Sequence, residues 1–168
     1  MTSIQLFHAM SPALAADILE HAFSADKEVY RATLSAIAQA RKVRPVYLER
    51  QPRADRHRFM AATLGRQGME LIASNLLTSW LIKKQNAMLI DFLDALGVKH
   101  EKGVVENLPD KVEDTVLNSA VDTLLSKYPQ ETVAVYLQAF YTFNNAPWPN
   151  LEALLQNDSR LKLGPATL

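Results

Sequence analysis

Apolar residues along this chain recur every three or four positions over long stretches, which is the period of one face of an α-helix. This pattern predicts helices over about residues 12–23, 25–42, 54–66, 69–82, 83–96, 110–128, 130–141 and 151–155. The interval 44–52 contains two prolines and has room only for a short helix or a turn. No stretch alternates with the two-residue period of a half-buried strand, so we predict an all-α protein.

Residues that start or end helices support these limits. Ser11 and Pro12 combine an N-cap with a proline at the first helical position. Gly97 stands where a left-handed residue is expected to end a helix, and the Tyr128-Pro129 step divides two neighbouring helices into a tight αα-hairpin. The sequence contains no repeat of fixed period. We therefore predict an irregular bundle or a short solenoid-like array of about seven or eight antiparallel helices.

The two tryptophans occupy different contexts. Trp80 lies in the stretch 69–82, which is apolar around most of its circumference and predicts a central helix with Trp80 in the core. Trp148 stands between Pro147 and Pro149 and is a candidate anchor for a partner, because tryptophan is frequent at binding hot spots. The commoner use of such a tryptophan is to cover the end of a bundle with its large apolar area.

Composition places the chain among folded globular proteins, since 48% of its residues are hydrophobic and 21% are charged. Its 168 residues suit one all-helical domain over 1–168, with loosely ordered ends at 1–10 and 160–168. The absence of cysteine excludes disulfides and thiolate chemistry and favours a reducing compartment, the cytoplasm. No apolar run reaches the roughly 18 residues of a membrane span, and no secretory signal is recognisable, so we expect no membrane association.

The chain carries no net charge, yet seven of its nine arginines lie between Arg41 and Arg66. Residues 41–66 hold eight basic against two acidic residues, a net charge of +6, which the rest of the chain balances. Arginine offers a planar fork of donors that matches phosphates and carboxylates, which predicts an anionic partner. The candidate anion- or partner-binding residues are Arg44, Tyr47, Arg50, Arg53, Arg56 and Arg58. The three-residue spacing of Tyr47 and Arg50 would let ring and guanidinium stack on a helix.

Two other interpretations of this segment stay open. In the first, the arginines pair with acids of the later helices in the same chain. If those acids belong to a second copy instead, the pairs would hold two chains together as a homo-dimer aligned by complementary charges. Those acids are Asp91, Asp94, Glu106, Asp110, Glu113, Asp114 and Asp122. Alternatively, the arginines bind the phosphates of a nucleic acid or another phospholigand. Nucleic acid is the less favoured partner, because the net charge is zero and Tyr47 and Phe59 are the only aromatic residues in 41–66.

The sequence offers no anchor for catalysis. It contains neither a nucleophile motif nor a glycine-rich phosphate loop, and we predict no cofactor. One group of acids with a histidine lacks any recognised metal-ligand spacing, so no metal site is predicted. This group is Asp91, Asp94, His100, Glu101 and Glu106. An enzyme would require polar residues to converge inside the core, for which the candidates are Asn75, Thr78, Ser79 and Asn86.

We therefore expect a non-enzymatic binding or scaffold protein that acts through protein–protein interaction or self-association. One alternative is nucleic-acid or phospholigand binding through the arginine-rich residues 41–66. The other is a helical enzyme whose site the sequence does not reveal.

Overall fold

Ten α-helices make up most of the described chain. The computed structural model describes residues 1–144 and 148–164. In chain order the helices are α1 Ser3–Ala9, α2 Pro12–Ala25, α3 Lys27–Ala40, α4 Pro45–Glu49, α5 Arg53–Leu64, α6 Glu70–Ser79, α7 Asn86–Leu96, α8 Asp114–Lys127, α9 Gln130–Phe143 and α10 Pro149–Asn157. A π-helical turn, Trp80–Lys84, follows α6, and a 3₁₀ turn, Ser159–Leu161, follows α10. The residues described form no β-strand, and the prediction of an all-α protein is confirmed.

All eight predicted helices are present, and their ends differ from the predicted positions by a few residues. The interval with two prolines contains α4, the short helix for which the sequence left room. With α1 and α4 included, the helices exceed the predicted number but belong to the predicted class. None of the helices described is long and apolar enough to cross a membrane.

Helix α1 lies in the segment 1–10, which we expected to be loosely ordered. Thr2 and Gln5 form a capping box at its start, so two backbone donors that have no partner inside the helix are satisfied. Leu6 and Phe7 are buried, and they attach the helix to the core. A helix of seven residues has too few turns for its apolar period to stand out in the sequence.

Contacts within the chain divide it into two compact units. The first comprises Met1–Ile82 together with Gly164, and the second comprises Lys83–Leu163. The division falls inside the π-helical turn, Trp80–Lys84. The expectation of a single domain stays a prediction.

The core of the first unit lies between α2, α3, α5 and α6, and α1 packs against α5 and α6. Helices α2 and α3 bury the apolar stripes that their sequences predict, including Ile18, Leu19 and Ile37. Helix α6 contacts α1, α2, α3 and α5, as expected of a central helix, and Trp80 just after it is fully buried. However, α6 is not buried on all sides, because Leu71 is 73% exposed.

An acid from another helix holds the first turn of α1. The Glu70 carboxylate, at the start of α6, accepts hydrogen bonds from the backbone N–H of Ser3 at 2.8 Å and of Ile4 at 3.1 Å. A carboxylate in this position satisfies free helix donors and is favoured by the helix dipole. Burial by itself would raise the pKa of Glu70, but the hydrogen bonds outweigh burial, and the pKa lies below its ordinary value of 4.5.

The second unit is built from α7 to α10. Helix α7 packs against α8, helix α9 contacts α8 and α10, and the 3₁₀ turn packs against α9. Its buried side chains include Phe92, Leu117, Leu124, Phe140 and Leu161. Leu161 belongs to the expected loose end 160–168, of which residues 165–168 lie outside the described part of the chain.

Trp148 belongs to the core of the second unit and is 1% exposed. Its indole Nε1 donates a hydrogen bond to the backbone carbonyl of Pro109 at 2.7 Å, and its ring centre lies 5.8 Å from that of Phe140. The indole N–H is therefore satisfied inside the fold while the ring supplies apolar area. Trp148 is not an exposed anchor for a partner, which corrects that expectation. Pro147 lies outside the described residues.

We predict that Glu70→Gln lowers the free energy of unfolding by about 1 kcal/mol at neutral pH, because it removes the charge that stabilises the start of α1. Equilibrium urea denaturation measures the change. The folded pKa of Glu70 is lowered, so its contribution is present above 4.5 and is lost as the pH falls through the folded value. Glu106→Gln, in an exposed loop, is the control. Equal stability of the two variants would contradict the cap.

Candidate binding site in the arginine-rich segment

The arginine-rich segment folds into α4 and α5, and a proline positions the start of each helix. Pro45 is the first residue of α4, and Pro52 is the N-cap of α5, where its fixed φ and missing N–H are tolerated. The corner between the helices divides the six predicted site residues into two groups. On α4 or at its ends lie Arg44, Tyr47 and Arg50; on α5 lie Arg53, Arg56 and Arg58.

Arg53 is tied to α2 by two contacts. Its Nε lies 3.2 Å from Oε2 of Glu20, and its guanidinium lies 4.7 Å from the ring centre of Phe23. The carboxylate and the aromatic face therefore engage the same planar cation. Because both side chains of the ion pair remain about half exposed, the pair itself adds little to stability.

Arg56 is buried, with only 8% of its surface exposed. Its Nη1 donates to the backbone carbonyl of Glu49, the last residue of α4, at 3.4 Å. Its guanidinium also lies 5.6 Å from the ring centre of Phe23 and 5.8 Å from that of Tyr30. Among the described residues no carboxylate pairs with Arg56, and its Nε has no hydrogen-bond partner. Aromatic faces and the carbonyl end of α4 therefore balance this charge.

His57 connects α5 to α2 and α3. Its Nε2 lies 2.9 Å from the Tyr30 hydroxyl, and its Nδ1 lies 3.6 Å from Oε2 of Glu20. Burial lowers the pKa of His57, with Arg56 and Arg53 acting in the same direction and Glu20 opposing them, while burial raises the pKa of Tyr30. Both groups are therefore neutral near pH 7. The carboxylate beside Nδ1 favours the proton there, so Tyr30 donates to Nε2.

These contacts define an inner cluster, which consists of Glu20, Phe23, Tyr30, Arg53, Arg56 and His57. Half of its members come from α2 and α3, and no local spacing in the sequence connects them to α5. The one local signal is that Arg53, Arg56 and His57 are spaced i, i+3 and i+4, which places them on one face of α5.

The remaining group belongs to an exposed surface, called the α4 surface, which is formed by Arg44, Val46, Tyr47 and Arg50 and is bordered by the exposed Glu49. Val46 is 45% exposed and Tyr47 is 53% exposed, whereas Leu48 is fully buried and fixes the helix to the unit. Within residues 1–144 and 148–164, Arg44 and Arg50 form no ion pair. The predicted stack of Tyr47 on Arg50 is not formed; arginine instead contacts aromatic rings in the inner cluster and at Arg41–Phe59.

Arg58, although it lies on α5, belongs neither to the inner cluster nor to the α4 surface. Its Nη1 lies 3.3 Å from Oδ1 of Asp55, three residues earlier on the exposed side of α5. An exposed pair of this kind contributes little to stability, so Arg58 remains a surface cation.

Four acids of the later helices, which the sequence offered as partners for the arginines, pair within the second unit. Asp91, Glu113 and Asp122 form ion pairs with Lys127, Lys111 and Arg160, and Asp94 is hydrogen-bonded to His100. The Asp94 carboxylate lies 2.8 Å from Nε2 of His100, whose Nδ1 accepts the N–H of Gly103. In the part of the chain that is described, no three His, Cys, Asp or Glu side chains are grouped to hold a metal ion.

The polar residues of α6 do not converge on a buried pocket. Asn75 and Thr78 are exposed, and the buried Ser79 hydroxyl donates to the Asp26 carboxylate at 2.6 Å. Ser79 therefore bonds to Asp26, the residue that joins α2 to α3, and does not line an open site.

Comparison of the chain with protein-family models, with curated proteins and with solved structures finds no match.

We predict that folding stability falls as the pH drops below 6.5, the ordinary pKa of histidine, because His57 is kept neutral in the fold. The pKa of His57 is lower in the folded chain than in the unfolded chain, so the unfolded chain takes up the proton at a higher pH. As the pH falls, stability is lost until it reaches the pKa of His57 in the folded chain. This slope is at most about 1.4 kcal/mol per pH unit. Urea denaturation over this range measures it.

The matched comparison for this slope uses two histidine variants. His57→Gln removes the titrating group and should flatten the pH dependence, whereas His8→Gln, on the exposed side of α1, should leave it unchanged. A slope that persists in His57→Gln would show that the buried histidine is not its source.

Proposed function

We propose that this protein is a binding module that engages an acidic segment of a partner protein through the α4 surface. The observation that carries the proposal is the exposure of Tyr47 and Val46 between two arginines that have no acidic partner among the described residues. Tyrosine and arginine are the residue types enriched at the energetic centres of protein interfaces. The carboxylates of an acidic segment supply the charge that Arg44 and Arg50 lack.

The α4 surface is held rigidly enough to act as a preformed site. Pro45 fixes the first φ of the helix, and Leu48 anchors its inner side in the core. The last carbonyl of the helix accepts from Arg56, so both ends of α4 are restrained. Restraint of this kind supports binding, because less conformational entropy is lost when the partner arrives.

Protein is favoured over nucleic acid because few cations on this surface remain available. A nucleic-acid backbone is followed by a row of cations and by several stacking rings. Here Arg53 and Arg56 are engaged inside the unit, and Tyr47 is the one aromatic ring of the α4 surface. Two arginines around one tyrosine suit a short acidic segment better than an extended phosphate backbone.

The test is fluorescence anisotropy with two labelled probes, a peptide of repeated Glu-Glu-Leu and a single-stranded oligonucleotide. The wild-type protein should bind the peptide, and Arg44→Ala/Arg50→Ala or Tyr47→Ala should weaken binding about tenfold or more. Raising the salt concentration should weaken the interaction as well.

The matched control is Arg31→Ala/Arg66→Ala, which removes the same charge from two exposed positions outside α4. It should bind the peptide as tightly as the wild type. Equal weakening in both double variants would reduce the effect to net charge, and preferential binding of the oligonucleotide would replace the proposal with the nucleic-acid alternative. Binding of neither probe would overturn it.

A further inference from the structure

A groove of about 920 Å³ runs over the first unit between α2 and α5. Phe7 and Met10, from α1 and its C-terminal end, line one part of it, and the Glu20–Arg53 ion pair lines another. None of the residues that line it belongs to the α4 surface, so this groove is a separate feature of the unit.

The two helices that border the groove run antiparallel. Arg53, at the start of α5, pairs with Glu20 in the second half of α2. Gly65, at the end of α5, lies against His8, shortly before α2 begins. A Cβ on Gly65 would stand 3.3 Å from the backbone of His8, so glycine permits this close approach.

The walls of the groove carry opposite charges. Helix α2 contributes Asp17 and Glu20, and helix α5 contributes Arg53 and Arg58. Between them the lining is made of alanines on both helices, including Ala13, Ala16 and Ala61. Such small side chains let a further helix approach closely, while the charges on the walls determine which helix it is.

We infer that the groove is a dimer interface in which α2 of one copy packs on α5 of the other. A twofold axis along the groove turns each acidic wall onto the basic wall of the second copy. This rotation keeps each residue at its position along the groove and moves it to the opposite wall. Because α2 and α5 are antiparallel, Asp17 of one copy then faces Arg58 of the other, and Glu20 faces Arg53. An axis across the groove would instead place α2 on α2, acid against acid, and is disfavoured by repulsion.

A second copy is the occupant that we infer because the charges of the two walls are complementary to each other across the twofold axis, as an isologous interface requires. The chain has no net charge, so two copies approach without long-range repulsion. A guanidinium has five N–H donors, so Arg53 and Arg58 can keep their present pairs with Glu20 and Asp55 and also contact a carboxylate of the second copy. The inference does not depend on the α4 surface.

The experiment is sedimentation equilibrium of the full chain at low salt, with the charge reversals Asp17→Arg and Arg58→Glu. The wild type should sediment at about twice its monomer mass of 18.8 kDa. In a symmetric dimer the contact between positions 17 and 58 occurs twice, so each single reversal brings two pairs of like charges together. It should raise the dimer dissociation constant at least about tenfold. The double variant Asp17→Arg/Arg58→Glu exchanges the two charges and should restore the dimer.

Further samples separate this interface from other effects. An equimolar mixture of the two single variants should dimerise, because each supplies the charge that the other needs. Arg44→Ala/Arg50→Ala, which lies outside the groove, should sediment as a dimer like the wild type. Far-UV circular dichroism checks that each variant is folded. A monomeric wild type would overturn the inference. So would a dimer that ignores the single reversals, or a folded double variant that fails to regain the wild-type mass.

Discussion

The arrangement of the first unit depends on one buried cation, the guanidinium of Arg56. An arginine side chain stays protonated throughout the accessible pH range, so its burial has to be balanced by the surrounding atoms. No carboxylate does this among the described residues; two aromatic faces and the last carbonyl of α4 do. Because Phe23 comes from α2 and Tyr30 from α3, this single charge fixes three helices and the α4 corner around it.

That constraint separates the arginine-rich segment into parts with different roles. Arg53 and Arg56 are occupied by contacts within their own unit, and they give the corner its shape. Arg44 and Arg50 flank the exposed α4 and form no ion pair among the described residues. The +6 charge of residues 41–66 therefore overstates the cationic surface that this segment exposes. This small surface, with one ring and two arginines, is the basis on which we propose that a short acidic segment of a protein binds.

Most of the fold could be predicted from the sequence, because apolar periodicity is strong in α2, α3, α7 and α8. Helix α1 was missed because it has two turns. The inner cluster was missed for a different reason. The buried face of α5 includes Arg56 and His57 beside Met60 and Leu64, so the residue types do not indicate that this face is buried. The Glu20–Arg53 pair joins distant positions, and only the folded chain brings them together.

The most direct test of this account is the free energy of unfolding of single alanine variants at Arg44, Arg50 and Arg56, measured by urea denaturation. The account predicts that Arg56→Ala loses about 2–3 kcal/mol, because it removes buried contacts on two rings and one carbonyl. Arg44→Ala and Arg50→Ala should remain within about 0.5 kcal/mol of the wild type, as surface substitutions do. If Arg56→Ala were as stable as the other two, the division of the segment into an inner cluster and an exposed α4 surface would be wrong.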